Sequence, residues 1–176
     1  MGRTVNLFQG LAILETVHTA TGLVRGLPYL AFLQWIGRAN VLFILAKMPQ
    51  LWNHPASITM MAVWAFGEIL RYPWYAATLL GCSPYLVTWL RYSAPIIIYP
   101  IGVLAEMVLI FLALPSIRSQ QLLCVELPNS LNFSFDYHLF LQAALAVYIP
   151  VWLQLYLHVL RQRGAKLKSL SHSKIK

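Results

Sequence analysis

A tyrosine and a glutamate, Tyr99 and Glu106, stand seven residues apart in the apolar run that continues from Tyr92 through Ile97, Ile98, Ile101 and Leu104. In a helix this spacing is about 10.5 Å of rise and close to two turns, so the two side chains point the same way without touching. An ionisable residue in a run apolar enough to lie in a bilayer is expensive, and is a functional candidate for that reason. A carboxylate out of water serves as a base once ionised and as an acid otherwise, and a phenol, with a reference pKa of about 10, keeps its proton at neutral pH and can donate it to an oxygen where charge develops. One base and one donor, separated by room for a small functional group, suit the elimination of water across a carbon–carbon bond next to a carbonyl. The base takes the acidic hydrogen and the donor helps the hydroxyl leave. Intramembrane carboxylates also relay protons in transporters, but the chain shows no internal repeat or paired half-helices of the kind transporters use.

The remaining charges inside apolar stretches have structural readings. Glu68 and Arg71 are three apart and can pair along one helix, where such a pair fixes packing register. Glu15 and His18 form a Glu-x-x-His pair; di-iron bundles use that spacing twice with further carboxylates. Five acids in the whole chain leave no second copy, so a hydrogen-bonded structural pair is expected and no metal. Arg71-Tyr72 and Arg91-Tyr92 close two Leu-Arg-Tyr triplets on either side of a short turn at Gly81, which sends both guanidiniums toward one membrane face. Arginine forks bind phosphate in pairs of hydrogen bonds, and arginines at helix ends also snorkel.

The elements that must position these residues are transmembrane helices. Of the 176 residues, 59% are hydrophobic and 10% charged, against about a quarter charged in a soluble domain. A hydrocarbon core of about 30 Å takes about 20 apolar helical residues. Spans are expected at Leu7–Val24, Tyr29–Ala46, Ser57–Leu80, Tyr85–Leu114 and Leu139–Leu160. The fourth is longer than a straight crossing requires, and Pro95 and Pro100 bend it. A kink beside Tyr99 leaves backbone carbonyls to face a cavity. Pro115–Tyr137 reads as a loop. The chain is therefore read as all-α, a polytopic transmembrane helix bundle of about five spans. Residues 1–160 form the membrane domain and 161–176 a basic tail.

Thirteen Lys and Arg against five acids give a net charge of +8. The tail, with Arg161, Arg163, Lys166, Lys168, Lys174 and Lys176 and no acid, places the C-terminus in the cytosol against anionic headgroups. It lacks aromatics or a readout motif, which excludes nucleic acid as a partner. Cys82 and Cys124 fit neither a disulfide framework nor a metal knuckle. The N-terminal stretch does not have the form of a cleaved signal.

Tyr99-Pro100-x-Gly102-Val103-x-x-Glu106 resembles the signature of the very-long-chain 3-hydroxyacyl-CoA dehydratases of fatty-acid elongation, also called protein tyrosine phosphatase-like proteins. Leu14-Glu15-Thr16-Val17-His18, Gly22-Leu23-Val24, Trp64 through Glu68, Arg71, Tyr72, Tyr75, Leu90-Arg91-Tyr92 and Gln162-Arg163 are similar to further stretches of that family in the same order. The resemblance implies an endoplasmic-reticulum membrane enzyme that dehydrates a (3R)-3-hydroxyacyl-CoA to the trans-2-enoyl-CoA, the third step of elongation, with Tyr99 and Glu106 as the catalytic pair. It implies no metal or redox cofactor, and the partners it implies are acyl-CoA, the lipid bilayer and other elongation enzymes. Arg91, Arg71 and Tyr92 are the expected contacts to coenzyme A. The family has about six spans with both termini cytosolic, so the first span is expected to be missing here. Ala94-Pro95 also stands where the family often has an aromatic pair. These departures support an alternative, a catalytically impaired member that binds elongation enzymes. A phosphatase loop, Cys-x5-Arg, begins at neither cysteine.

Overall fold

Prolines and their neighbours set most of the boundaries in the computed structural model, which describes residues 28–82, 84–125 and 134–173 together with Val17 and Thr21. Glu15, His18 and nearly all of the expected Leu7–Val24 span lie outside the described residues. The chain divides into two compact units, residues 1–53 and 54–176. In the first, helix α1 (Pro28–Lys47) matches the expected second span to within a residue at each end, and a 3₁₀ turn at Pro49–Asn53 follows. Among its described residues, Val41, Leu42, Ile44, Leu45 and Met48 are buried.

The second unit holds Tyr99 and Glu106. Helix α2 (Pro55–Leu79) starts where His54, in extended conformation, accepts the Ala56 amide on Nδ1 at 3.2 Å. Pro55 follows at the first helical position, where its missing amide hydrogen is no loss. The helix stops at Gly81, whose φ of +70° is open to glycine at little cost. The amides of Gly81 and Cys82 close back on the Thr78 and Ala77 carbonyls at 3.2 and 2.9 Å, a Schellman ending.

The fourth apolar run is, as expected, a long helical stretch rather than two crossings separated by a loop. It consists of α3 (Tyr85–Ser93) and α4 (Pro95–Ser119), joined at Ala94, which keeps right-handed helical dihedrals. The expected end at Leu114 is corrected: α4 runs through Pro115 to Ser119. Ala113 and Ile117, on either side of Pro115, are fully buried, and this packing carries the helix past the lost hydrogen bond. It ends on Gln121 at φ +46°, with the Leu122 amide on the Ile117 carbonyl at 3.2 Å. This is a glycine-type ending made without glycine, and it was therefore hidden in the sequence.

Helix α5 (Tyr137–Ser173) is capped by Asp136, whose Oδ1 accepts the His138 and Leu139 amides at 2.8 and 3.3 Å. The helix continues beyond the expected span end at Leu160, from Arg161 to Ser173. Among the described residues, Tyr85–Ser119 and Tyr137–Leu167 are the two stretches long and apolar enough to cross a bilayer.

One stripe of α4 is buried, at Gly102, Ala105, Glu106, Leu109, Ile110, Ala113 and Ile117, spacings of three and four that trace a single helical face. Opposite it, α2 buries Ser57, Met60 and Trp64. Ile97, Leu104 and Phe111 of α4 are 62–67% exposed, a bare apolar outer face. Gly102 sets the closeness of the α2–α4 crossing, since a Cβ built there would lie 2.9 Å from Val63 Cγ1. Small residues allow this approach between helices, and a β-branched valine has little rotamer freedom with which to yield. Gly102→Ala is expected to destabilise the protein by about 1–3 kcal/mol. Adding Val63→Ala should restore most of the loss, read as melting temperatures of the two variants in detergent.

Candidate active site

Glu106 lies at the centre of the buried stripe, 9% exposed. Two side chains, each 42 residues away in sequence, hold its two oxygens. Trp64 Nε1 donates to Oε1 at 2.9 Å, and the Tyr148 hydroxyl donates to Oε2. Trp64 comes from α2, where it is itself 6% exposed, and Tyr148 comes from α5. The carboxylate is thus fixed from both neighbouring helices. Hydrogen bonds to a charged group contribute about 1.5–3 kcal/mol each. Neither Trp64 nor Tyr148 was marked as a site residue by the sequence, because their distance from Glu106 along the chain gives no local spacing to read.

Tyr99, two turns before Glu106 on α4, is half-buried. It is followed by Pro100, which cannot donate to the Ile96 carbonyl one turn back. The sequence suggested that such a carbonyl would face a cavity. Instead it accepts the Tyr156 hydroxyl of α5 at 3.1 Å. A third tie, Arg163 Nε to Ser93 Oγ at 3.1 Å, joins α5 to the end of α3 just before Ala94-Pro95. Tyr148 on Glu106, Tyr156 on Ile96 and Arg163 on Ser93 set α5 antiparallel to α3–α4 in a single register. The Tyr99 segment is held by that register.

The Arg71 and Arg91 triplets come together at one end of the unit. Trp74, one turn beyond Arg71, meets Tyr92 edge-on at 5.9 Å between ring centroids. Arg71 is already engaged, with Nη2 2.9 Å from Glu68 Oε2 and its guanidinium over the Tyr72 ring, so the pair suggested by the Glu68–Arg71 spacing is made. Arg91 lies over the Tyr92 ring, and its buried Nε has no hydrogen-bond partner among the described residues. Thr88, on the same face one turn earlier, has a buried hydroxyl in the same condition.

The family model described as "Protein tyrosine phosphatase-like protein, PTPLA" matches residues 9–169. The chain is 37% identical over 172 residues to "Very-long-chain (3R)-3-hydroxyacyl-CoA dehydratase 2" of Mus musculus, covering 97% of this chain and 66% of that protein. It is 37% identical over 162 residues to "Very-long-chain (3R)-3-hydroxyacyl-CoA dehydratase 1" of Canis lupus familiaris, covering 92% and 65%. It is also 37% identical over 175 residues to "Very-long-chain (3R)-3-hydroxyacyl-CoA dehydratase PASTICCINO 2" of Arabidopsis thaliana, covering 98% and 77%. The chain spans just under two thirds of the length of the two mammalian relatives and more of the plant one. No solved structure gives a significant match.

Proposed function

The chain belongs to the protein tyrosine phosphatase-like family, PTPLA, and from that premise we propose that it is a membrane hydro-lyase converting very-long-chain (3R)-3-hydroxyacyl-CoA to trans-2-enoyl-CoA. The observation that carries this reading is the buried Glu106 carboxylate, held by Trp64 and Tyr148 two helical turns from Tyr99. Its relatives' names say that they dehydrate such thioesters. A fixed base beside a phenol fits that chemistry.

In the proposed step Glu106 takes the hydrogen from C2, whose acidity comes from the adjacent thioester carbonyl. The electron pair left on C2 forms the C2–C3 double bond. The C3–oxygen bond breaks as Tyr99 gives its proton to the departing hydroxyl, which leaves as water. Transfer of the proton from Glu106 back to the Tyr99 phenolate, directly or through water, resets the pair. Holding base and donor at fixed positions removes the entropic cost of bringing them to the substrate. A carboxylate locked by two donors needs no reorganisation as the reaction proceeds.

At the other end, Arg91 is the better candidate for the coenzyme A phosphates, because its Nε is unspent whereas Arg71 is paired with Glu68. Tyr92 flanks this guanidinium. The bare outer faces of α4 and α5 suit lipid contact. A bundle of about five spans in the endoplasmic-reticulum membrane, with the C-terminus cytosolic and other elongation enzymes as neighbours, completes the reading. Membranes containing the chain are expected to consume a long-chain (3R)-3-hydroxyacyl-CoA and release the trans-2-enoyl-CoA while leaving the (3S) epimer unchanged. Equal consumption of both epimers, or of neither, rejects the proposed stereospecific reaction.

A further inference from the structure

Along α5, Tyr148, Trp152 and Tyr156 recur at intervals of four residues, about one turn, so they lie in one gently drifting stripe. The outer two are committed to α4, Tyr148 to Glu106 and Tyr156 to the Ile96 carbonyl. Trp152 is between them, stacked on Tyr156 with ring centroids 5.2 Å apart and planes 21° apart. Its Nε1 is shut off from solvent and has no hydrogen-bond partner among the described residues. A buried donor left unpaired carries a penalty of about 1–3 kcal/mol. The antiparallel register sets the level along α4 at which Trp152 stands. Four residues on from Tyr148 along α5 corresponds to about 6 Å back from Glu106 along α4. That is the level of Gly102, midway between Tyr99 and Glu106.

We propose that the Trp152 indole N–H donates to the carbonyl oxygen of an acyl thioester lying between Tyr99 and Glu106. This rests on the dehydratase reading and deepens it. When Glu106 removes the C2 hydrogen, the electron pair spreads onto the thioester oxygen. A donor already aimed at that oxygen in a dry site lowers the barrier as an oxyanion-hole donor does. Trp64 and Tyr148 fix the base and Tyr99 serves the leaving oxygen, which leaves the thioester carbonyl without a donor unless Trp152 supplies it. Arg91 and Thr88, whose buried Nε and hydroxyl also have no hydrogen-bond partner among the described residues, lie on α3 and are not interchangeable with it.

Trp152→Phe keeps an aromatic ring against Tyr156 and removes only the N–H. Turnover of the (3R)-3-hydroxyacyl-CoA is expected to fall on the order of 10²-fold in kcat, with KM changed by less than about threefold. Binding is read independently of turnover, from protein ¹⁵N-labelled at indole nitrogen in nanodiscs. The Trp152 resonance, identified by its loss in Trp152→Phe, is expected to shift on adding saturated octadecanoyl-CoA and to stay still on adding coenzyme A alone. A resonance unmoved by octadecanoyl-CoA overturns the proposal, as does a Trp152→Phe protein with wild-type kcat or a loss confined to KM. If the resonance shifts but the intact chain dehydrates nothing, the dehydratase reading fails while the indole–thioester contact stands.

Discussion

Glu106→Gln is expected to lower dehydration turnover by on the order of 10³-fold, equivalent to about 4 kcal/mol in barrier height. The substitution keeps the shape of the side chain but leaves an amide that cannot take a proton from carbon. The Tyr148 hydroxyl can still donate to the amide oxygen. The amide nitrogen then faces the Trp64 N–H, donor against donor, where the native Oε1 accepts at 2.9 Å. Some stability is lost with that contact, on the order of 1–3 kcal/mol. The expected result is therefore a folded protein, slightly easier to melt, in which kcat has collapsed and KM has barely moved. Loss of activity in proportion to loss of folded protein would instead make Glu106 a packing residue.

Tyr99→Phe is expected to reduce kcat by on the order of 10²- to 10³-fold, because the hydroxyl then leaves without a proton donor. The structure sharpens this prediction by supplying a rival phenol. Tyr148 is on the same carboxylate, from the opposite helix. Were Tyr148 the acid, Tyr148→Phe would be the crippling change and Tyr99→Phe the mild one. The order expected here is the reverse: Tyr148 is committed to orienting Glu106, and its loss should loosen the base and lower turnover by only about tenfold. Comparing the two phenylalanine variants at equal expression distinguishes acid from positioning residue.

How much of this was visible in the sequence depends on the range of the interaction. The Glu68–Arg71 pair, the helix break just before Pro95 and the bounds of helix α1 all follow from spacing, or from proline, within a few residues. Boundaries decided by packing were misread. Pro115 looked like a terminator, yet Ala113 and Ile117 are fully buried and the helix continues. The helical end of α5 lies beyond the expected span, because hydropathy marks where apolar residues stop and not where the helix does. Arg161 to Ser173 are mostly good helix formers with one weak point, Gly164.

The site divides in the same way. Tyr99 and Glu106 share a helix and could be paired by periodicity, whereas Trp64, Tyr148 and Tyr156 reach them from other helices. Their roles depend on the register of α5 against α4, and no local pattern encodes it. Pro100 shows the consequence: the sequence correctly marked a carbonyl without a helical donor but could not show that a tyrosine 60 residues on would satisfy it.

The most direct measurement is dehydration of a long-chain (3R)-3-hydroxyacyl-CoA by membranes holding equal amounts of the intact chain, Glu106→Gln and Tyr99→Phe, with the trans-2-enoyl-CoA detected by mass. The intact chain should form product steadily and both variants should fall to the background of membranes lacking the protein. A well-folded intact chain that works no faster than either variant would contradict the catalytic assignment of this buried pair.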